Sequence, residues 1–220
     1  MTSEVPAAES LPLPLMWPLT VLALLWTSWC ALHSLLIDRR VQAVFRKALG
    51  RFGRAYRLLY ILISALTLLP LLWYQWSLPQ RVILPAHPAL RLVQAVLLVY
   101  GLLMFYLGAR VYDLRTFLGI TQWRDRKGTG SRPPLSFHTN GILARIRHPW
   151  YSGGIAVIWG FGAITDVFLL TRVLLTAYLL IGTLLEEQRL LAELGEPYRA
   201  YRRTVPMLFP RLHRRTGVRP

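Results

Sequence analysis

The chain reads as an all-α polytopic membrane protein of about five transmembrane helices with a C-terminal cytoplasmic segment. Three observations lead there. Of 220 residues, 54% are hydrophobic and only 16% charged, against roughly 25% charged in soluble domains. The mean hydropathy is +0.39. The formal charge of +16 is carried by basic clusters that alternate with long uncharged runs.

A helix rises 1.5 Å per residue, so about 20 apolar residues cross a hydrocarbon core of roughly 30 Å. The first run extends from Trp17 to Ile37, with Pro14 and Pro18 near its start and Asp38-Arg39-Arg40 closing it. Leu58 to Trp76 is the second, uncharged and interrupted only by Pro70. Leu92 to Ala109 is the third, with Gln94 its one strongly polar side chain. Trp73, Trp76, Tyr100 and Tyr106 are suited to span ends or cavity positions. The fourth, Trp150 to Thr165, is short and carries Gly153, Gly154, Gly160 and Gly162, which predicts close helix packing. The fifth follows Asp166 and stays apolar to Leu185, with a helical pattern continuing to Leu194. The break at Thr165-Asp166 leaves almost no loop, so a tight helical hairpin is expected. Met1 to Ser10 holds Glu4 and Glu9 and no basic residue, the wrong start for a cleaved signal, so the first run is expected to be kept.

Of the 26 Lys and Arg, 23 fall in 38–57, 110–148 and from 189 onward. Five spans put all three stretches on one side, which predicts an outside N-terminus and a cytoplasmic C-terminus. The charge then serves topology and anionic membrane lipid, and nucleic acid is not an expected partner. One cysteine, Cys30, excludes a disulfide framework, and no Cys/His metal-ligand spacing, P-loop or dinucleotide glycine fingerprint occurs. No metal is expected, and oligomeric state is not legible.

Ionisable groups beside apolar spans are the candidate functional residues. His33 lies one helical turn from the end of the first run, where it can either bond neighbouring polar groups or act on a ligand. Asp113 follows the third and suits a cap. Glu186-Glu187 end the fifth apolar run at the unfavourable end of a helix dipole, so a positive partner is expected there: Arg189, another arginine or a cationic ligand. Upstream, Arg145-Ile-Arg147-His148-Pro149-Trp150-Tyr151 places basic groups at a helix start, a ready anion site. Gly195 ends the long helix and Glu196-Pro197 opens another, on which Tyr198 and Tyr201 share a face. That helix reads either as interfacial, with snorkelling Arg199, Arg202 and Arg203, or as an aromatic lid. The loop 124–134 is polar and glycine-containing, and reads as a plain surface loop or a gate.

The string Arg147-His148-Pro149-Trp150-Tyr151 with Gly154, then Glu186-Glu187, Gly195, Tyr198, Tyr201 and Val205-Pro206, resembles the isoprenylcysteine carboxyl methyltransferases and phospholipid methyltransferases. His33-Ser34, Asp113 to Gln122 and Val205-Pro206-Met207-Leu208 are similar to a bacterial branch that includes NnrU-like proteins and methanethiol S-methyltransferases. Ile37-Asp38 and Gly119-Ile-Thr-Gln122 depart from that branch's pattern, so the resemblance implies methyl transfer with a thiol or a carboxylate as acceptor.

What the resemblance implies is an S-adenosylmethionine-dependent enzyme of a bacterial inner membrane acting on a small-molecule or lipid substrate. Residues 1–112 would form an N-terminal three-helix membrane region. Residues 113–220 would form the methyltransferase core, a helical hairpin over 149–194 plus the cytoplasmic tail. Arg147, His148, Tyr151, Gly154, Glu186, Glu187, Tyr198 and Tyr201 would bind the cofactor, while Arg145, Arg202 and His33 would act on the acceptor. Two rivals share part of the pattern: a non-catalytic NnrU-like assembly factor, and an NADPH-dependent sterol-type reductase, against which the acidic pair argues.

Overall fold

The structure is a computed structural model that describes residues 13–124 and 139–210. The loop 124–134 falls almost wholly outside the described residues. Helix α1, Leu13–Ile37, leaves into the short amphipathic α2, Arg39–Ala48. Asp38 makes that corner by accepting from the backbone amides of Arg40 at 2.8 Å and Val41 at 3.2 Å, an N-cap that satisfies otherwise orphaned donors. A 3₁₀ turn over Gly50–Ala55 leads into α3, Tyr56–Ser77. Strand β1, Val82–Leu84, precedes α4, Pro88–Ala109. Two short helices follow, α5, Leu114–Phe117, and α6, Ile120–Arg124. Helix α7, Pro149–Gly160, strand β2, Ile164–Thr165, helix α8, Asp166–Leu194, and helix α9, Glu196–Thr204, complete the order.

Among the described residues four helical segments are long and apolar enough to cross a membrane: Met16–Ile37, Gly50–Ser77, Pro88–Ala109 and Asp166–Leu194. The expected fourth span is the exception. Helix α7 has 12 residues, about 18 Å of rise, and ends at Gly160. There the chain turns through Gly162 at φ +76°, a conformation that favours glycine. β2 then pairs antiparallel with β1, and Asp166 and Arg81 exchange two 3.0 Å hydrogen bonds. The α3–α4 and α7–α8 connections therefore meet at one end of the bundle.

Helix α7 runs along α4 on a glycine seam. A Cβ on Gly101 would meet Gly153 O at 2.8 Å, and one on Gly160 would meet Gln94 O at 2.9 Å. Only hydrogen lets the two backbones approach this closely, and in a lipid environment such approach supplies the packing energy that water exclusion cannot. Arg172 of α8 closes the far end of α7 by donating to the carbonyls of Ile158 at 3.0 Å, Gly162 at 3.1 Å and Phe161. These are the carbonyls a helix leaves unpaired at its C-terminus.

On the other side, α1 packs against α3 and α8 around Leu22, Trp26, Leu71 and Val167. Gln75 is buried among them, its Oε1 accepting from Trp26 Nε1 at 2.9 Å and Thr171 Oγ1 at 2.8 Å. One side-chain carbonyl thus joins three helices. Arg39 pairs with Glu193, fixing the start of α2 to the end of α8.

Candidate active site

The end of the bundle opposite β1 and β2 gathers the polar residues. Residues 205–208 lie alongside 146–148, with Arg147 N donating to Pro206 O at 3.0 Å and His148 N to Met207 O at 3.1 Å. Ile146, Val205 and Leu208 bury their side chains behind this pairing. Pro149 then opens α7 at a position where a missing N–H costs nothing.

Glu187, two residues past the end of the apolar part of α8 at Leu185, is the centre of the cluster. Its Oε1 accepts from Arg147 Nε at 2.8 Å, His148 Nε2 at 2.7 Å and Tyr198 OH at 2.6 Å. Its Oε2 accepts from Arg147 Nη2 at 2.9 Å and Arg202 Nε at 2.9 Å. A carboxylate offers about four lone-pair sites, so five donors saturate it. Arg147 extends the network by donating to the carbonyls of Arg202 at 3.2 Å and of Val205. One acid thereby ties the start of α7, the end of α8, α9 and the segment after it.

Tyr198 and Tyr201 lie inside this junction, packed with Val205 against Leu190, Leu191 and Leu194. Tyr201 OH donates to Leu143 O at 2.6 Å. Burial, then the Glu187 charge and hydrogen bond, push the Tyr198 phenol far above its usual 10, and burial takes Tyr201 up to about 12. Their rings dock α9 onto α8.

Glu186 differs from its neighbour because 100° of helix rotation turns it to another face. Its side chain is 32% exposed, with His148 Nδ1 at 4.0 Å, and burial, then the nearby Glu186 carboxylate, push the Tyr151 phenol far above its usual 10. Tyr112, just after α4, is close enough that burial and the Glu186 charge together raise its phenol well above the usual value. The nearby Trp150 ring is T-shaped to Tyr112 and to Phe117, each at 4.8 Å. Tyr112 was not singled out in the sequence, where it is only the residue before the α5 cap, Asp113.

The remaining candidates fall elsewhere. Arg145 is exposed. Gly154 faces α8, where a Cβ would meet Leu179 Cδ1 at 3.3 Å. His33 sits between α1, α3 and α8: Tyr60 OH lies 2.7 Å from its Nε2, Ser64 Oγ 3.3 Å from its Nδ1, Trp29 stacks on it at 5.0 Å and Tyr178 meets it edge-on at 6.3 Å. Ser34 donates to Tyr178 OH at 3.2 Å. Tyr178 precedes Glu186 by two helical turns, about 12 Å, so His33 forms a second polar centre deeper in the bundle.

The sequence aligns along most of its length with bacterial methyltransferases. It is 31% identical to a methanethiol S-methyltransferase of Pseudomonas deceptionensis, over 91% of this chain and 77% of that protein. A methanethiol S-methyltransferase of Pseudomonas sp. (strain GM41(2012)) is 33% identical with the same coverage, and one of Mycobacterium tuberculosis is 31% identical over 71% of this chain and 64% of that protein. No family model matches the chain, and no solved structure does. The helical bundle and these relatives define an integral membrane methyltransferase. None of the three relatives is named as a reductase or an assembly factor. The chain belongs to the methanethiol S-methyltransferase family.

Proposed function

We propose that the protein methylates a small, lipid-permeable thiol, using S-adenosylmethionine and releasing a thioether. The observation that carries the reading is the identity with relatives named methanethiol S-methyltransferase over 91% of the chain. The donor set fits the cofactor: its methionine end presents an ammonium, a carboxylate and a sulfonium. Glu186 is the partly exposed acid beside His148 and Tyr151, whereas Glu187 has no oxygen left to offer. Glu186 would hold the ammonium, and the basic helix start with Arg145 the carboxylate. Bound there, the cofactor supplies an electrophilic methyl group.

Arg147, Glu187, Tyr198, Tyr201 and Arg202 hold that surface in place, keeping the start of α7 and the end of α8 in register. Residues 113–220 would form this core, and 1–112 would supply the membrane region and His33. His33, its ring fixed by Tyr60 and Ser64, takes the thiol proton as the acceptor arrives from the bilayer side. The 23 of 26 basic residues in the three alternate gaps support an N-terminus outside and a site at the cytoplasmic face of a bacterial inner membrane.

Purified protein given methyl-labelled S-adenosylmethionine and methanethiol tests the reading, with labelled dimethyl sulfide collected from the headspace. Label in the thioether is the expected result. Label released only as a base-labile methyl ester from a carboxylate acceptor overturns it.

A further inference from the structure

The stretch between α1 and α3 takes no part in the cluster around Glu187. Helix α2 places Val41, Val44, Phe45 and Ala48 on one face at helical spacing, with Arg40, Arg46 and Lys47 around the rest. None of its residues is buried; Val44 is 68% exposed and Phe45 46%. An apolar face left uncovered immediately after a membrane-length helix fits a helix lying in the membrane interface.

The 3₁₀ turn that follows shapes a site. Arg51 lies 4.8 Å over the exposed Phe52 ring, and Trp123 of α6 stands opposite. Arg51, Phe52, Arg54, Ala55 and Trp123 line an open cavity of about 290 Å³. The far wall is anchored: Arg57 donates to Phe117 O and stacks 5.2 Å from the Phe117 ring. Gly119, at φ +83°, lies so close to the Arg57 stem that a Cβ there would come within 2.7 Å of it. Among the described residues neither Arg51 nor Arg54 has an acidic partner; Glu187, Glu193 and Glu196 pair with Arg39, Arg147, Arg189, Arg199, Arg202 and Arg203 instead.

We propose that this cavity binds the phosphate of an anionic phospholipid whose acyl chains lie against the apolar face of α2 and Phe52. Two guanidiniums facing one cavity match the oxygens of a phosphodiester in a way that a zwitterionic headgroup, with its own cation, opposes. An indole beside them is the side chain that settles at headgroup level. The cationic cavity and the uncovered apolar face together select an amphiphile over a free anion. This site is independent of the methyl-transfer reading.

Native mass spectrometry of the detergent-purified full chain tests it, with phosphatidylglycerol, phosphatidylcholine and inorganic phosphate titrated separately. Retention of phosphatidylglycerol over phosphatidylcholine is expected. An arginine near an anionic membrane surface contributes about fivefold in binding, so the double variant Arg51→Gln/Arg54→Gln should retain roughly thirtyfold less. Arg51→Lys/Arg54→Lys should keep the preference, as should Arg91→Gln at the opposite end of the bundle. The melting temperature of each variant in detergent, compared with the parent, reports whether the fold is intact. Equal retention of the two lipids overturns the proposal, as does a preference that survives the double Gln substitution. Competition by inorganic phosphate at equal concentration would show a soluble-anion site and overturn the lipid assignment.

Discussion

Arg147 grips Glu187 with two parallel hydrogen bonds, Nε to Oε1 at 2.8 Å and Nη2 to Oε2 at 2.9 Å, and both side chains are less than a tenth exposed. A bidentate pair out of water is held by geometry as much as by charge. Removing either partner strands the other as a buried ion. Through its contacts with Arg147, His148, Tyr198 and Arg202 the acid links four chain segments.

Glu187→Ala and Arg147→Ala should each therefore lose about 3–5 kcal/mol of stability, the usual cost of breaking a buried pair from one side. Thermal unfolding in detergent measures this. Tyr198→Phe, which removes one of the five donors, should cost about 1–3 kcal/mol. Glu187→Ala unfolding at the parent's temperature would show that the acid is not a structural centre.

The α4–α7 seam gives a steric prediction. In Gly101→Ala the new methyl carbon would sit 2.6 Å from Val157 Cγ2 and 2.8 Å from the Gly153 carbonyl oxygen. Overpacking of this kind costs about 1–3 kcal/mol. Gly154→Ala meets only the flexible end of Leu179 at 3.3 Å and should be tolerated. Side-by-side melting curves should separate the two variants; equal curves would mean the helices do not lie this close.

Alkaline stability should depend on the tyrosines of the α8–α9 junction. The Tyr201 phenol is raised from 10 to about 12, chiefly by burial. A group with a raised folded pKa contributes stability that is complete below its unfolded value and is lost as pH climbs through the folded one. Between about pH 10 and 12 the protein should weaken progressively, and Tyr201→Phe should flatten that limb while lowering stability at neutral pH. A parent curve flat across the window would contradict the burial of this phenol.

His33 and its neighbours make a kinetic prediction. His33→Ala should lower kcat with methanethiol by about 10²–10⁴-fold, the usual worth of a positioned base, and leave affinity for S-adenosylhomocysteine unchanged. Tyr60→Phe should shift the pH profile of kcat. Turnover unaffected by loss of the imidazole would return His33 to a packing role between α1 and α3.

The long helices were legible because a span must be about 20 residues of uninterrupted apolarity, and such runs survive any tertiary arrangement. Arg147-His148-Pro149 and the Glu186-Glu187 pair were also legible, since charge at a helix end demands a partner. Which glutamate faces which partner was not, because adjacent helical residues diverge by 100° and only packing sets the rotation. The end of α7 at Gly160, five residues short of the expected Thr165, depends on β2 pairing with a strand 80 residues earlier in the chain. Nothing in the sequence marks Arg172 as the cap of α7, because its contacts with Ile158 and Gly162 exist only once the hairpin is closed. Helix α2 carried a visible pattern in Val41, Val44, Phe45 and Ala48, hidden by the basic residues that made 38–57 read as a topogenic loop.

Calorimetric titration of the detergent-purified protein with S-adenosylmethionine, S-adenosylhomocysteine and NADPH tests whether Glu186, beside the saturated Glu187, receives the cofactor. The first two should bind and the third should not, and Glu186→Gln should weaken both by about 10–100-fold, the worth of a charge-assisted hydrogen bond, with an unchanged melting temperature. Undiminished binding by Glu186→Gln, or binding of NADPH alone, would contradict that role of Glu186.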